Sequence, residues 1–158
     1  KPVAQHEWLK NLVGEWRSTA TMAMPDGTAL ASEGTESVTS LGGLFAHAHG
    51  KATIPGGEAM EYFVAIGWDL TFEEYRGVWY SDVSSHLWTY VGTLSDDGKT
   101  LTLQSEGPNM DPTSDAKTAT YRDIHEIVAA DHRIMRSTGL GPDGEWRDFM
   151  VTRFERVG

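Results

Sequence analysis

The sequence predicts an all-β fold: a closed, antiparallel, up-and-down β-barrel of eight to ten strands with one short N-terminal helix. Three observations carry this. Ten runs rich in β-branched and aromatic residues fill the chain after Gly14: 15–24, 31–40, 44–54, 59–68, 75–82, 86–94, 100–106, 117–128, 132–138 and 145–156. Turn signals separate several of them, at Pro25-Asp26-Gly27, Pro55-Gly56-Gly57, Asp96-Asp97-Gly98 and Pro142-Asp143-Gly144. A meander of that many strands leaves two unpaired edges unless it closes on itself, and closure removes both.

The helix is expected within residues 2–13, around 5–12. Pro2 suits a helix start, and Gly14 suits the position just past a helix end. Trp8, Leu9, Leu12 and Val13 form an apolar stripe between them, so the helix is expected to cap one barrel mouth. Alternation along the strands supports the barrel. In 86–94, His86, Trp88, Tyr90 and Gly92 share one face, with Leu87, Thr89, Val91 and Thr93 on the other. In 59–68, Met60, Tyr62, Val64, Ile66 and Trp68 oppose Glu61, Phe63, Ala65 and Gly67. Neither face is plainly polar, which fits a mixed lumen able to hold a ligand.

A chain of 158 residues suits a single domain, 1–158, with one core. There are no cysteines, which excludes thiol chemistry. Lys plus Arg number 13 against 23 Asp plus Glu, a net charge of -10. That charge repels phosphate backbones and anionic membranes, so neither nucleic acid nor membrane is an expected partner. No apolar run approaches the length of a membrane span, and no signal-peptide core is visible. The expectation is a soluble, cytoplasmic protein, with a periplasmic or secreted one after leader removal as the alternative. A homodimer is compatible with the sequence.

Several ordered motifs carry a family resemblance. They are HEWLKNLVGEW at the start, SLGG at 40–43, IGWD at 66–69, the Gly77/Trp79 strand, HLWTYVGTL at 86–94, DDGKTLTLQSEGP at 96–108 and YRD at 121–123. Together they span nearly the whole chain, which resembles the bacterial family called domain of unknown function 1579. That family is grouped with lipocalin-like, or calycin-like, barrels. The resemblance thus implies a closed antiparallel barrel with a lumen, and it implies no reaction, substrate or cofactor. Such barrels typically carry Gly-x-Trp on the first strand and an Arg late in the last. Here Gly14-Glu15-Trp16 opens the first strand, with Arg153 and Arg156 on the last. An Arg stacked on the indole and bonded to nearby carbonyls would latch the barrel floor.

Candidate chemistry lies in three groups. His47-Ala48-His49 places two imidazoles on one side of a strand, able to converge on zinc with a third ligand. His86 is the first choice for that ligand, with Glu61 and Glu36 next; a bound metal would activate water for hydrolysis. Solvent-facing histidines are the plainer reading. His86, Trp88 and Tyr90 form a polar-aromatic stripe suited to a pocket wall, or to an ordinary barrel core. Arg122 and Glu126 share one strand face, and Gln104 and Glu106 share another. Turned inward, Glu106 and Glu126 beside Arg122 form an acid–base group; turned outward, they form a solvated face.

Two functions from different classes follow. The first is a carrier that holds a partly apolar small molecule against Tyr62, His86, Trp88 and Arg122, with Arg122 meeting an anionic end. The second is an enzyme, a metal-assisted or acid–base hydrolase or isomerase, using the His47, His49 and His86 cluster or Glu106, Glu126 and His86. A haem-binding barrel with a histidine as axial ligand is a third possibility.

Overall fold

The computed structural model describes residues 2–24, 26–53 and 57–158. Helix α1 (Ala4–Trp8) runs directly into a 3-10 turn, Leu9–Leu12. Ten strands follow: β1 (Gly14–Ala23), β2 (Ala29–Leu41), β3 (Phe45–Thr53), β4 (Ala59–Asp69), β5 (Glu74–Ser81), β6 (Ser84–Leu94), β7 (Thr100–Pro108), β8 (Thr118–Ala129), β9 (His132–Leu140) and β10 (Trp146–Arg156). Each pairs antiparallel with its sequence neighbours, and β1 pairs with β10, which closes the barrel. All ten expected runs are strands.

The turns are built as their residues dictate. Asp26, Asp97 and Asp143 each accept a hydrogen bond from the backbone N–H two residues on, at 2.9, 3.0 and 3.1 Å. Pro25 and residues 54–56, part of two expected turns, lie outside the described residues.

The helical segment covers 4–12, close to the expected 5–12, and tightens from α to 3-10 at Leu9. Its stripe does close one mouth. Trp8, Leu9 and Leu12 are buried against Trp16, Ile66, Tyr75 and Leu101. Polar ties fix the cap: Trp8 Nε1 donates to the Gly98 carbonyl at 2.6 Å, and the Tyr75 hydroxyl donates to the Gln5 carbonyl at 2.7 Å. The helix is held by what it buries, since five residues are too few to be stable alone.

The floor latch is present, and its arginine is Arg156. The Arg156 guanidinium lies 4.3 Å from the centre of the Trp16 ring and donates to the carbonyls of Ala130 and Val13. Arg153 falls in the opposite phase and is exposed. Gly14 explains the glycine of Gly-x-Trp. Its φ of 139° disfavours a side chain, and a Cβ there would sit 2.1 Å from an Arg156 nitrogen.

Candidate functional site

The lumen is lined by one phase of every strand. Directly paired residues share a face, so Trp16, Glu36, Gly50 and Tyr62 form one inward row across β1 to β4. Gly50 matters to this row. Tyr62 lies across the space where a side chain would stand, a Cβ at Gly50 falling 2.0 Å from Tyr62 Cζ. The tyrosine thereby reaches over β3 and donates to Glu36 Oε1 at 2.9 Å. The other Glu36 oxygen pairs with Arg133 on β9; both side chains are under a tenth exposed. The Arg133 guanidinium also packs 3.8 Å from the centre of the Phe154 ring and 4.6 Å from that of Trp16.

A second polar group faces the first. On β8, Asp123 and His125 share the inward phase with Tyr121. Asp123 Oδ2 accepts from the Tyr90 hydroxyl at 2.6 Å, and Ser137 also bonds to this carboxyl. Both Asp123 and His125 lie deep in the packed barrel yet retain accessible surface. That surface therefore faces the lumen. Burial raises the Asp123 pKa, with the Tyr90 and Ser137 bonds opposing the rise. Burial, helped by the Arg133 charge, lowers the His125 pKa to about 3, so its ring is neutral at pH 7. Burial also raises the pKa of Tyr62 and Tyr90, with Glu36 and Asp123 respectively adding to it, so both hydroxyls remain protonated donors.

The described residues form two adjoining chambers in the lumen. The inner one, under the cap and bounded by Leu12, is about 60 Å³. That is several times the roughly 10–15 Å³ one water needs. Glu36, Tyr62, Arg133, Asp123 and His125 supply its polar wall, and Val38, Ala46, Ala48, Val64, Ile66 and Leu103 its apolar wall. The outer chamber is about 210 Å³ and is walled by Trp88, Tyr121, Phe149, Met110 and Met150. Trp79, Tyr90, Asp123 and Met135 border both.

The expected site residues divide. Tyr62 lines the inner chamber and Trp88 the outer. His86 lies at the rim, its ring 4.7 Å from Trp88 and its Nε2 3.2 Å from the Glu106 carbonyl oxygen. Ladder pairing between β6 and β7 runs only from Val91–Gln104 to Leu94–Leu101. Beyond it the strands separate, and Trp88 lies over Gly107 in the gap.

Arg122, Glu106 and Glu126 require correction, because all three face outward. Arg122 donates to Gln104 at 3.0 Å and packs on Trp146 at 4.0 Å. Glu126 pairs with Arg136 at 3.1 Å, and Glu106 accepts from Thr118 at 3.0 Å. The cause is phase: β8 turns Asp123 and His125 inward, which sends Arg122 and Glu126 out. The zinc cluster is not assembled either. Ala46 and Ala48 face the lumen, so His47 and His49 point outward, away from the phase of His86. His49 stacks on Phe63 at 4.5 Å and bonds Glu61 at 2.6 Å. Among the described residues no group of three His, Cys, Asp or Glu side chains is placed to hold a metal.

The family described as "Protein of unknown function (DUF1579)" matches residues 1–156. The chain belongs to that family. No curated protein matches it. Among solved structures, this DUF1579 barrel is similar to the S-type phycobiliprotein lyase CPES from Guillardia theta, with a TM-score of 0.64, 13% identity and 99% of each chain covered. It is also similar to Rv2717c from M. tuberculosis, with a TM-score of 0.67, 12% identity and 100% of each chain covered. A third similar structure, EF1p2_mFAP2b bound to DFHBI, has a TM-score of 0.52 and 13% identity, with 98% of this chain and 100% of that one covered. At these identities the likeness is one of fold.

Proposed function

We propose that this protein binds a small, partly apolar molecule in its lumen, the polar end in the inner chamber and the apolar body in the outer one. The observation that carries the reading is the pair of adjoining chambers, in which buried polar groups converge at one end and aromatic and methionine side chains line the other. Two barrels of similar fold agree with such a use, one being a phycobiliprotein lyase and the other a barrel bound to DFHBI. Tyr62 and Trp88 remain in the proposed site, His86 stands at its rim, and Asp123, His125, Glu36 and Arg133 replace Arg122.

The test is a thermal-shift screen of a panel of small aromatic acids, amides, phenols and amines. Each hit is repeated on Ala48→Phe and on Ala46→Leu, which fill the inner chamber from β3, and on Arg122→Ala, which changes only the outer surface. The reading expects hits that stabilise wild type and Arg122→Ala but not the filled variants. Hits that stabilise all four proteins equally place the site outside the lumen, and a panel with no hits removes the proposal.

A second reading, acid–base catalysis, is favoured by Asp123 alone: a buried carboxyl with a raised pKa, bonded to a tyrosine, beside a cavity. It requires that a hit be consumed over time by wild type and not by Asp123→Asn.

A further inference from the structure

Resting on the lumen-binding reading, the polar groups of the inner chamber narrow the class of ligand. Two carboxyl side chains and one guanidinium line it. The charge of that guanidinium is already matched by a carboxylate, although its buried Nε finds no partner among the described residues. Arg133 is paired with Glu36, and its plane is packed against Phe154 and Trp16. An anionic head would therefore meet Glu36 and Asp123 with no uncommitted cation among the described lining residues. A cationic head would meet the Arg133 charge. The Asp123 carboxyl is already engaged by the Tyr90 and Ser137 hydroxyls.

Hydrogen-bonding capacity is plentiful, in contrast. His125 Nδ1 is buried and finds no partner among the described residues. The ring is neutral, so one nitrogen donates and the other accepts, and its remaining surface faces the chamber. Asp123 stands at the junction of the two chambers with acceptor positions beyond those used by Tyr90 and Ser137. The outer chamber beside it has flat walls from Trp79, Trp88, Tyr121 and Phe149.

We propose that the inner chamber selects an uncharged head that both donates and accepts hydrogen bonds, a carboxamide or lactam on an aromatic body, and excludes the corresponding carboxylate. Discrimination of this kind is expected where buried polar groups have no other partner, because a ligand lacking the matching groups leaves them unpaired.

The experiment uses three near-isosteric probes that differ only in the head: 2-naphthamide, 2-naphthoate and 2-naphthamidine. Binding to the whole protein is measured by calorimetry near neutral pH. The carboxamide is expected to bind at least about tenfold more tightly than either charged probe. Asp123→Asn should shrink its advantage over the carboxylate, His125→Phe should weaken the carboxamide about tenfold, and Arg122→Ala should change nothing. Two variants at separate positions keep the test decisive if one of them fails to fold. Equal or tighter binding of the carboxylate or the amidine, abolished by Ala48→Phe, overturns the head-group assignment while the lumen reading survives. If none of the three probes binds although the wider panel yields lumen hits, the assignment is again overturned. If the wider panel also yields none, the lumen reading falls with it.

Discussion

His125 allows a sharp test of the buried polar array, through the acid limb of stability. Its ordinary pKa of 6.5 is lowered to about 3 in the folded barrel, by burial first and by Arg133 second. The unfolded chain therefore takes up a proton on this ring as pH falls below 6.5, while the folded protein does not until near pH 3. In that window the unfolded state binds more protons, so stability falls as pH falls. At pH 5 the unfolded ring is almost fully protonated and the folded ring almost fully neutral. The loss between pH 7 and pH 5 is then about 2 kcal/mol, at roughly 1.4 kcal/mol per pH unit below 6.5. Any folded value below about 4 gives nearly the same loss at pH 5. Asp123 works in the opposite direction: its raised folded pKa makes the folded state take up a proton first, which adds stability as pH falls. The readout is accordingly the difference between wild type and His125→Gln, which keeps a polar side chain but does not titrate. Urea denaturation midpoints at pH 7, 6 and 5 supply it. Wild type should lose about 2 kcal/mol relative to the variant over that range. Curves that stay parallel to within about 0.5 kcal/mol would refute a buried neutral histidine, and with it the inward phase of β8.

Two further substitutions test the fold around the site. Trp16→Ala should cost about 3–5 kcal/mol by urea denaturation, as expected for loss of a fully buried large aromatic; a cost below about 1 kcal/mol would mean that the floor latch contributes little. Gly50→Ala should force Tyr62 off Glu36, costing about 1–3 kcal/mol and changing the near-ultraviolet circular dichroism of the Tyr62–Trp79 stack. An unchanged spectrum and midpoint would show that Tyr62 does not lie over Gly50.

Strand existence was legible because the local signals repeat: a β-rich run, a turn, another run. Phase was legible only where a turn fixes the register. The turn signal at Asp26-Gly27 centres the first hairpin on Asp26, which opposes Trp16 to Glu36. With Trp16 buried as the latch requires, that pairing sends Glu36 inward. No such anchor exists for β8. It follows the irregular segment 109–117 rather than a short turn, and its ladder with β9 shifts between Ile127 and Ala129. A one-residue error there exchanges Arg122 and Glu126 for Asp123 and His125. The composition of β8 offered no arbitration, since both faces mix apolar and charged residues. His47-Ala48-His49 misled for a related reason. Spacing places two imidazoles on one side of a strand, but the small inward side chains of β3, Ala46, Ala48 and Gly50, decide which side, and they leave room for Tyr62 to cross.

The same rows explain why the polar array calls for a functional account. A buried Glu–Arg pair is weak evidence for stability, since well-packed apolar residues of similar volume often do as well or better. This barrel already has an apolar floor in Trp8, Leu9, Trp16, Tyr75 and Leu101, which closes the capped end. Polar groups above that floor are thus not needed to complete the core. They come instead from four separate strands, β2, β4, β8 and β9, and meet only because Gly50 leaves a gap in the row and Asp123 and Ser137 face each other across the β8–β9 ladder. A lumen filled for stability alone would replace Asp123 and His125 with apolar side chains and remove the orphaned Nδ1. Their retention beside the chamber, with the accessible part of the His125 side chain and spare acceptor positions of Asp123 turned toward it, is the arrangement that the proposed binding requires.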